Sequence, residues 1–235
     1  MNLHGLLFSL ALGLLLPVVV LSAETQGQEL CAPFKGGVVA PEKMQAMLSA
    51  AEDGHLYRVR TSTSRVGFCV DSKYSRLHAE FHSFQGGLSL WPDPGEEELA
   101  MMAIKAASLD TGNSMADYML KSKFFFDIED YPEILFVSTA IDWTGPATAE
   151  IKGDLTLRGV TRSVTFHVQL TSLEKEPGGQ IGKLVAKAGT TINRSDFGMD
   201  KFPHLVDAKV ELCITAEVVR QETGVAGTAS VAGQR

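Results

Sequence analysis

The chain has little cysteine and no excess of positive charge, and each shortage argues against a class of protein. Its 235 residues include three cysteines, Cys31, Cys69 and Cys213, and no CxxC pair. This argues against a disulfide-rich scaffold and a cysteine-based zinc site. The formal net charge of -7 argues against a nucleic-acid-binding domain and against an anionic membrane surface as a partner.

The chain also lacks the short motifs by which many enzymes are recognised. It contains no GxSxG nucleophile elbow, no HExxH metal motif and no phosphate-binding P-loop. His78, Glu80 and His82 alternate along one predicted strand, but the two histidines are too far apart to share a metal ion. We interpret these three residues as a solvated face. We therefore predict no catalytic residue, no metal and no cofactor.

The N-terminal segment has the pattern of an export signal. The run from Leu6 to Leu21 is almost wholly apolar, and Ala23 offers a small residue at a plausible cleavage point. We predict a signal peptide over residues 1–23, cleaved near Ala23, with no stable membrane insertion afterwards. A retained anchor is the alternative, which the short run and Pro17 disfavour. Export predicts an oxidising compartment such as the periplasm.

Residues 24–54 form an extension that ends in a predicted helix. Pro41 suits the first helical position, and Gly54 suits the residue after the last turn. The apolar residues between them recur at helical spacing: Met44, Met47, Leu48 and Ala51. We expect this helix to cover the outside or one end of the main domain, the alternative being a flexible leader.

Residues 55–219 alternate mostly as strands. Turn signals such as Arg158-Gly159 and Pro177-Gly178-Gly179 separate the runs. The expected strands are 55–70, 77–83, 88–90, 99–109, 134–141, 149–158, 164–170, 184–192 and 210–216, where 77–90 is one run broken by glycines. This pattern predicts an all-β antiparallel barrel or sandwich of about eight strands. Residues 220–235 are rich in small polar residues and are predicted to be disordered.

One stretch, Asp110 to Thr139, departs from the strand pattern. A short helix is predicted around Ser114 to Lys121, with Met115, Tyr118 and Met119 on one face. Phe124, Phe125 and Phe126 follow it. These large side chains either line or close one end of the barrel, or they attach the helix to it.

Several blocks of this sequence, taken together, resemble the YceI-like family. They are Ser64-Arg-Val-Gly-Phe-Cys-Val70, Thr111-Gly-Asn-Ser-Met-Ala-Asp117, Phe125-Phe-Asp127, Tyr131-Pro132, Phe136-Val-Ser-Thr139, Gly153-Asp-Leu-Thr-Leu-Arg-Gly-Val-Thr161 and Asn193-Arg-Ser-Asp-Phe-Gly-Met199. The resemblance implies an eight-stranded antiparallel lipocalin-like barrel with one inserted short helix. It also implies a tunnel for a polyisoprenoid, the tail of an isoprenoid quinone or a similar long-chain amphiphile. Ser72 stands where family members often have a histidine, so contacts to a ligand head group stay open.

The barrel model with this tunnel predicts which side chains bind the ligand. They are Phe68, Val70, Phe81, Leu90, Met102, Ile104, Tyr118, Phe124, Phe125, Phe136, Leu155, Leu157, Phe166, Val168, Leu212 and Ile214. An ordinary packed core is the alternative, because alternation alone is the same in a filled and a hollow barrel. Asp117, Asp127, Arg158, Arg194 and Asp196 either bind a head group or, as we favour, cap turns and pair with one another.

The three cysteines suggest one structural hypothesis. Cys69 and Cys213 fall on outward positions of the first and last strands, which a closed barrel would place side by side. We expect Cys31 to attach the extension to the barrel wall through a disulfide, with Cys213 as the favoured partner.

The sequence therefore predicts a periplasmic carrier that performs no covalent chemistry. Two alternatives stay open: an enzyme acting on a lipid or isoprenoid quinone, and a stress-related protein-interaction module that uses the N-terminal helix and the acidic surface. Homodimerisation is also left open.

Overall fold

A computed structural model describes residues 39–91 and 96–221 of the chain. The predicted signal peptide, Cys31 and nearly all of the predicted C-terminal tail lie outside the described residues. The expectations made for them therefore stay predictions.

The described residues form two α-helices and eleven β-strands. The helices are α1 (Pro41–Glu52) and α2 (Ser114–Lys121). The strands are β1 (Leu56–Val59), β2 (Arg65–Ser72), β3 (Arg76–Phe81), β4 (Phe84–Ser89), β5 (Leu99–Lys105), β6 (Leu109–Asp110), β7 (Glu133–Gly145), β8 (Thr148–Leu157), β9 (Val160–Lys175), β10 (Ile181–Asn193) and β11 (Val206–Arg220). Short 3-10 helices cover Ala106–Ser108 and Arg194–Phe197.

The strands close into one antiparallel barrel. Neighbouring strands follow the order β1, β4, β5, β7, β8, β9, β10, β11, and β1 pairs back onto β11 through Tyr57 and Arg220. β2 also pairs with β11, so β1 and β2 act as successive halves of one bent strand. β3 and β4 continue the wall in the same way, pairing with β2 and β5. The predicted eight-stranded barrel is confirmed.

Two predicted strands are shorter in the structure than in the sequence-based prediction, because turns interrupt them. The run 55–70 divides into β1 and β2 at a turn in which Ser64 N donates to Arg60 O over 3.1 Å. The run 99–109 is a strand only as far as Lys105. Beyond it, Ser108 Oγ donates to Lys105 O over 2.7 Å and accepts from Ser83 N over 3.0 Å, which holds a helical turn against the bend between β3 and β4.

Helix α1 covers the outside of the barrel, as expected. Pro41 begins it, and Met47 and Ala50 are its buried residues. Met47 packs with Leu56 of β1 and Leu99 of β5. This contact explains why β5 is apolar on both faces.

Helix α2 lies in the connection between β6 and β7, and Asn113 caps its N-terminus. Asn113 Oδ1 accepts from Met115 N over 3.0 Å and from Ala116 N over 3.1 Å, which satisfies two otherwise unpaired helical donors. Leu120 is the buried residue of the helix. Within the described ranges, no helix is both long enough and apolar enough to span a membrane.

Candidate functional site: an apolar cavity inside the barrel

The inward side chains of the barrel strands surround a cavity of about 380 Å³. This volume lies within the range of small-molecule sites in proteins. Strand alternation positions the lining: Phe68 and Val70 point inward from β2, as Met102 and Ile104 do from β5. Every strand except the two-residue β6 contributes to the lining, and the lining side chains are almost all apolar.

One glycine lets an aromatic ring lie flat in the wall. A Cβ built on Gly153 would come within 2.6 Å of the Phe136 ring and 2.5 Å of the Val137 carbonyl oxygen. Phe136 lines the cavity and meets Phe166 edge to face, with ring centroids 5.2 Å apart. The absence of a side chain at Gly153 therefore leaves room for the Phe136 ring at the cavity wall.

A second aromatic cluster closes part of the cavity below α2. Phe126 lies 5.7 Å from Phe68 and 5.8 Å from Phe81 between ring centroids. Phe125 also lines the cavity and stacks on Phe202 at 6.1 Å. Phe125 and Phe126 thus both shape the interior and hold the connection after α2 against the barrel.

Nearly all of the predicted ligand-binding residues line the cavity, and two do not. The predicted residues that line it are Phe68, Val70, Phe81, Leu90, Met102, Ile104, Phe125, Phe136, Leu155, Leu157, Phe166, Val168, Leu212 and Ile214. Tyr118 is 77% exposed and Phe124 is 40% exposed, and both lie outside the lining. The expectation that they shape the interior is corrected: α2 buries Leu120, and Met115 and Tyr118 turn toward solvent. Met119, from the same predicted face, is 40% exposed and also lines the cavity.

The structure adds lining residues that were not among those predicted to bind the ligand. Val66 and Val210 follow the same alternation as Phe68 and Leu212, so the strand pattern contains the signal that would have found them. Trp143 lines the cavity from the far part of β7, where bulges shift the register and alternation no longer predicts direction.

Polar side chains in the lining gather at one end. Ser72 and Ser75 belong to the tip of the β2–β3 hairpin, where Ser72 Oγ donates to Ser75 O and accepts from Ser75 N over 3.1 Å. Arg194 lies at the start of the β10–β11 connection and is 4% exposed. We call this end of the barrel the mouth.

Arg194 is held by main-chain carbonyl groups. Its guanidinium donates to the carbonyl oxygens of Lys201 (2.8 Å), Val206 (2.9 Å) and Asp207 (2.8 Å), and also to that of Met199. Burial lowers the pKa of Arg194, with nearby carboxylates acting in the opposite sense. These contacts fit a residue that ties the loop before β11 to the barrel.

The other polar candidates also hold connections. Asp117 Oδ1 accepts from Thr111 N over 2.8 Å and from Thr111 Oγ1 over 2.7 Å, which fixes the loop before α2. Arg158 donates to Lys123 O over 2.9 Å and lies 3.9 Å from Asp127. These contacts support the turn-capping interpretation. Among the described residues, no group of three or more His, Cys, Asp and Glu side chains has an arrangement that could hold a metal ion.

Cys69 and Cys213 lie on paired strands, as a closed barrel requires. Cys69 is opposite Glu211 and Cys213 is opposite Gly67. Cys69 Sγ lies 3.1 Å from His78 Nδ1. Burial raises the pKa of the Cys213 thiol, and the neighbouring Cys69 raises it further. The pairing of Cys31 with Cys213 stays a prediction, because Cys31 lies outside the described residues.

A closed antiparallel barrel around an apolar cavity is the architecture of lipocalin-like binding proteins. Residues 57–218 match the family model of the YceI-like domain. Because this match covers more than half of the chain, the chain belongs to the YceI-like family.

Relatives share this part of the sequence. A UPF0312 protein of Pseudomonas putida is 37% identical over 150 residues, covering 63% of this chain and 77% of the relative. A UPF0312 protein of Pseudomonas fluorescens is 38% identical over 152 residues, with the same shares of 63% and 77%.

Solved structures share the fold at low sequence identity. BcnA of Burkholderia cenocepacia has a TM-score of 0.61 and 24% identity, covering 68% of this chain and 98% of its own. A polyisoprenoid binding domain from Saccharophagus degradans has a TM-score of 0.53 and 12% identity, covering 70% and 98%. At these identities the likeness concerns the fold.

Proposed function

We propose that this protein is a carrier that holds one long apolar molecule, a polyisoprenoid or the tail of an isoprenoid quinone, inside its barrel. The observation that carries the proposal is the apolar cavity of about 380 Å³ enclosed by the barrel strands. A packed barrel core would fill this space, because protein interiors leave few voids larger than a water molecule. The polyisoprenoid binding domain of Saccharophagus degradans has the same fold, which supports this class of ligand.

The chemistry of the lining suits binding without reaction. Burying apolar surface is worth about 25 cal/mol per Å², so a long hydrocarbon chain needs few polar contacts to bind. The polar residues Ser72, Ser75 and Arg194 all lie at the mouth. We therefore expect the polar group of an amphiphile to lie at the mouth and its tail to extend toward Trp143 and Leu170. In this proposal the protein is exported to the periplasm and acts there as a binding protein.

A matched pair of variants on one strand tests the proposal. Ala188 of β10 lines the cavity, and the adjacent Lys187 is exposed. Ala188→Phe places a ring in the cavity, whereas Lys187→Phe places the same ring on the outer surface. Native mass spectrometry and organic extraction of each purified protein would measure ligand content. We expect wild type and Lys187→Phe to carry ligand and Ala188→Phe to lose most of it.

Two results would count against the carrier proposal. One is a wild-type protein that is empty after gentle purification and takes up no added polyprenol. The other is equal ligand content in Ala188→Phe and Lys187→Phe, which would place the ligand elsewhere. Chemical conversion of the extracted ligand on incubation with the protein would favour an enzyme instead.

A further inference from the structure

Most of the apolar face of helix α2 points to solvent. Met115, Tyr118 and Met119 share one face by their spacing, and Met115 is 71% exposed. A surface helix of a globular protein normally turns such a face toward the core. Here the helix is held by its Asn113 cap and by Leu120, while its larger apolar side chains stay uncovered in the described structure.

Other exposed apolar side chains continue this surface. Phe124 meets Phe202 edge to face at 5.9 Å. Phe202 has a φ of 56°, a left-handed conformation that is rare for a bulky residue. Leu205 O accepts from Lys73 N over 2.9 Å, which brings this loop to the β2–β3 hairpin and to Tyr74, 81% exposed. We define the mouth patch as Tyr74, Met115, Tyr118, Phe124, Phe202 and Leu205.

The mouth patch lies beside one place where the cavity reaches the surface. Ser72 and Ser75, on either side of Tyr74, line the cavity, and Ser75 is exposed. Met119, next to Tyr118, both lines the cavity and is 40% exposed. An apolar molecule that left the cavity at the mouth would therefore meet the mouth patch first.

Lysines accompany the mouth patch. Lys73 precedes Tyr74, while Lys121 and Lys123 lie between Tyr118 and Phe124, a segment with no acidic residue. Among the described residues these three lysines form no salt bridge, whereas the nearby Lys201 pairs with Asp200 at 3.6 Å. The net charge of -7 is a total over the whole chain. Acidic residues also lie in the segments that carry the mouth patch: Asp117 accepts from Thr111, and Asp200 pairs with Lys201.

We propose that the mouth patch docks on the surface of an anionic phospholipid bilayer, with the mouth facing the lipid. Aromatic and methionine side chains enter the boundary between head groups and acyl chains, and the flanking lysines approach lipid phosphates. This contact is peripheral and reversible, and it gives an apolar molecule a route between membrane and cavity that avoids water. The docking rests on the outer surface, so it is measurable without any ligand in the cavity.

Vesicle co-sedimentation of the protein purified after export and signal-peptide cleavage, and stripped of bound lipid, tests the docking. The vesicles contain either phosphatidylcholine alone or phosphatidylcholine mixed with phosphatidylglycerol. The test variant combines Met115→Ser and Tyr118→Ser, which removes two exposed apolar side chains of α2. Its control is Leu173→Ser, which changes an apolar residue of β9 that is 41% exposed and lies outside the mouth patch.

The expected result is clear binding of wild type and Leu173→Ser to the anionic vesicles and at least fivefold weaker binding of the double variant. Binding should also fall at high salt, because screening weakens the attraction between lysine and phosphate. Thermal unfolding should be nearly unchanged in the double variant, since both side chains are exposed. Its ligand content, measured as above, reports separately on the carrier proposal.

Three outcomes would overturn the docking proposal. Wild type could fail to bind anionic vesicles, or the double variant could bind as well as wild type. In the third, wild type elutes as a dimer in size-exclusion chromatography and the double variant as a monomer. That result would make a second copy of this chain the occupant of the mouth patch.

Discussion

Replacing Phe125 with alanine should change both the stability of the barrel and its hold on a ligand. The Phe125 ring is 5% exposed, lines the cavity and stacks on Phe202 at 6.1 Å. Phe→Ala changes in well-packed cores cost about 3–5 kcal/mol. One side of this ring already borders the cavity, so we expect a loss near the lower limit, about 3 kcal/mol.

The same change should weaken ligand retention. If about 40 Å² of the apolar surface of a bound hydrocarbon is no longer buried, its binding free energy weakens by about 1 kcal/mol, or roughly fivefold in affinity. The ligand's exchange should also be faster, because removing the ring widens the cavity toward the mouth. Urea unfolding of lipid-free protein measures the first effect, and native mass spectrometry of loaded protein measures the second.

Phe197→Ala is the matched control for Phe125→Ala. Phe197 is 1% exposed and belongs to the same hydrophobic core, but it does not line the cavity. We expect a stability loss of about 4 kcal/mol with unchanged ligand affinity, which separates weaker folding from weaker binding. The reasoning is refuted if both variants retain ligand equally. The connection after α2 would then have a purely structural role.

Two further predictions concern stability. Burial raises the pKa of Glu98, and the hydrogen bond from Trp143 Nε1, 2.9 Å away, partly offsets this. The raised pKa means that the stabilising contribution of Glu98 is present at acidic pH and is lost as the pH rises through the folded value. Glu98→Gln should therefore raise Tm at pH 7 more than at pH 4, and an equal rise at both would contradict this. Gly159 and Gly112 both have a left-handed φ, of 69° and 74°. A Cβ on Gly159 would lie 2.5 Å from Tyr131 Cε1, whereas a Cβ on Gly112 would have no atom within 4 Å. Gly112→Ala should cost about 1 kcal/mol by urea unfolding through backbone strain alone, and Gly159→Ala should cost more; equal losses would mean that Tyr131 moves aside freely.

The carrier and docking proposals depend on different apolar side chains, which face opposite sides of the barrel wall. Phe136 and Leu155 face inward, where they would contact a ligand. Tyr118 and Phe124 are exposed beside the mouth, where they would contact a lipid surface. Measurements of cargo and of vesicle binding therefore respond to different residues, and each proposal can fail alone.

Strand alternation predicted an antiparallel barrel or sandwich, because alternation depends only on local geometry, and the family resemblance favoured the barrel. Val164, Phe166, Val168 and Leu170 alternate within one continuous strand, so their common face is readable without any tertiary contact. The same rule would have added Val66 and Val210 to the predicted lining. It failed where the chain bends: no local signal showed that 55–70 divides in two, or that 99–109 ends its strand at Lys105.

The orientation of α2 shows the limit of periodicity. The spacing of Met115, Tyr118 and Met119 correctly indicates an apolar face, but periodicity carries no information about which side of a helix meets the barrel. That choice depends on the Asn113 cap and on the packing of Leu120, Phe125 and Phe126 in the hydrophobic core of the barrel. The direction of Tyr118 and Phe124 was therefore predicted wrongly.

By itself the sequence determined the all-β class, the helix on either side of the first strands and the set of apolar faces, because these follow from turn residues, caps and local periodicity. Only the tertiary structure decided three things. The pairing of β1 with β11 closes the barrel, and this joins residues far apart in the chain. The space between opposing faces is a cavity, because whether facing side chains meet depends on the barrel's width. Met115 and Tyr118 of α2 point outward at the mouth of that cavity, because packing contacts elsewhere hold the helix in place.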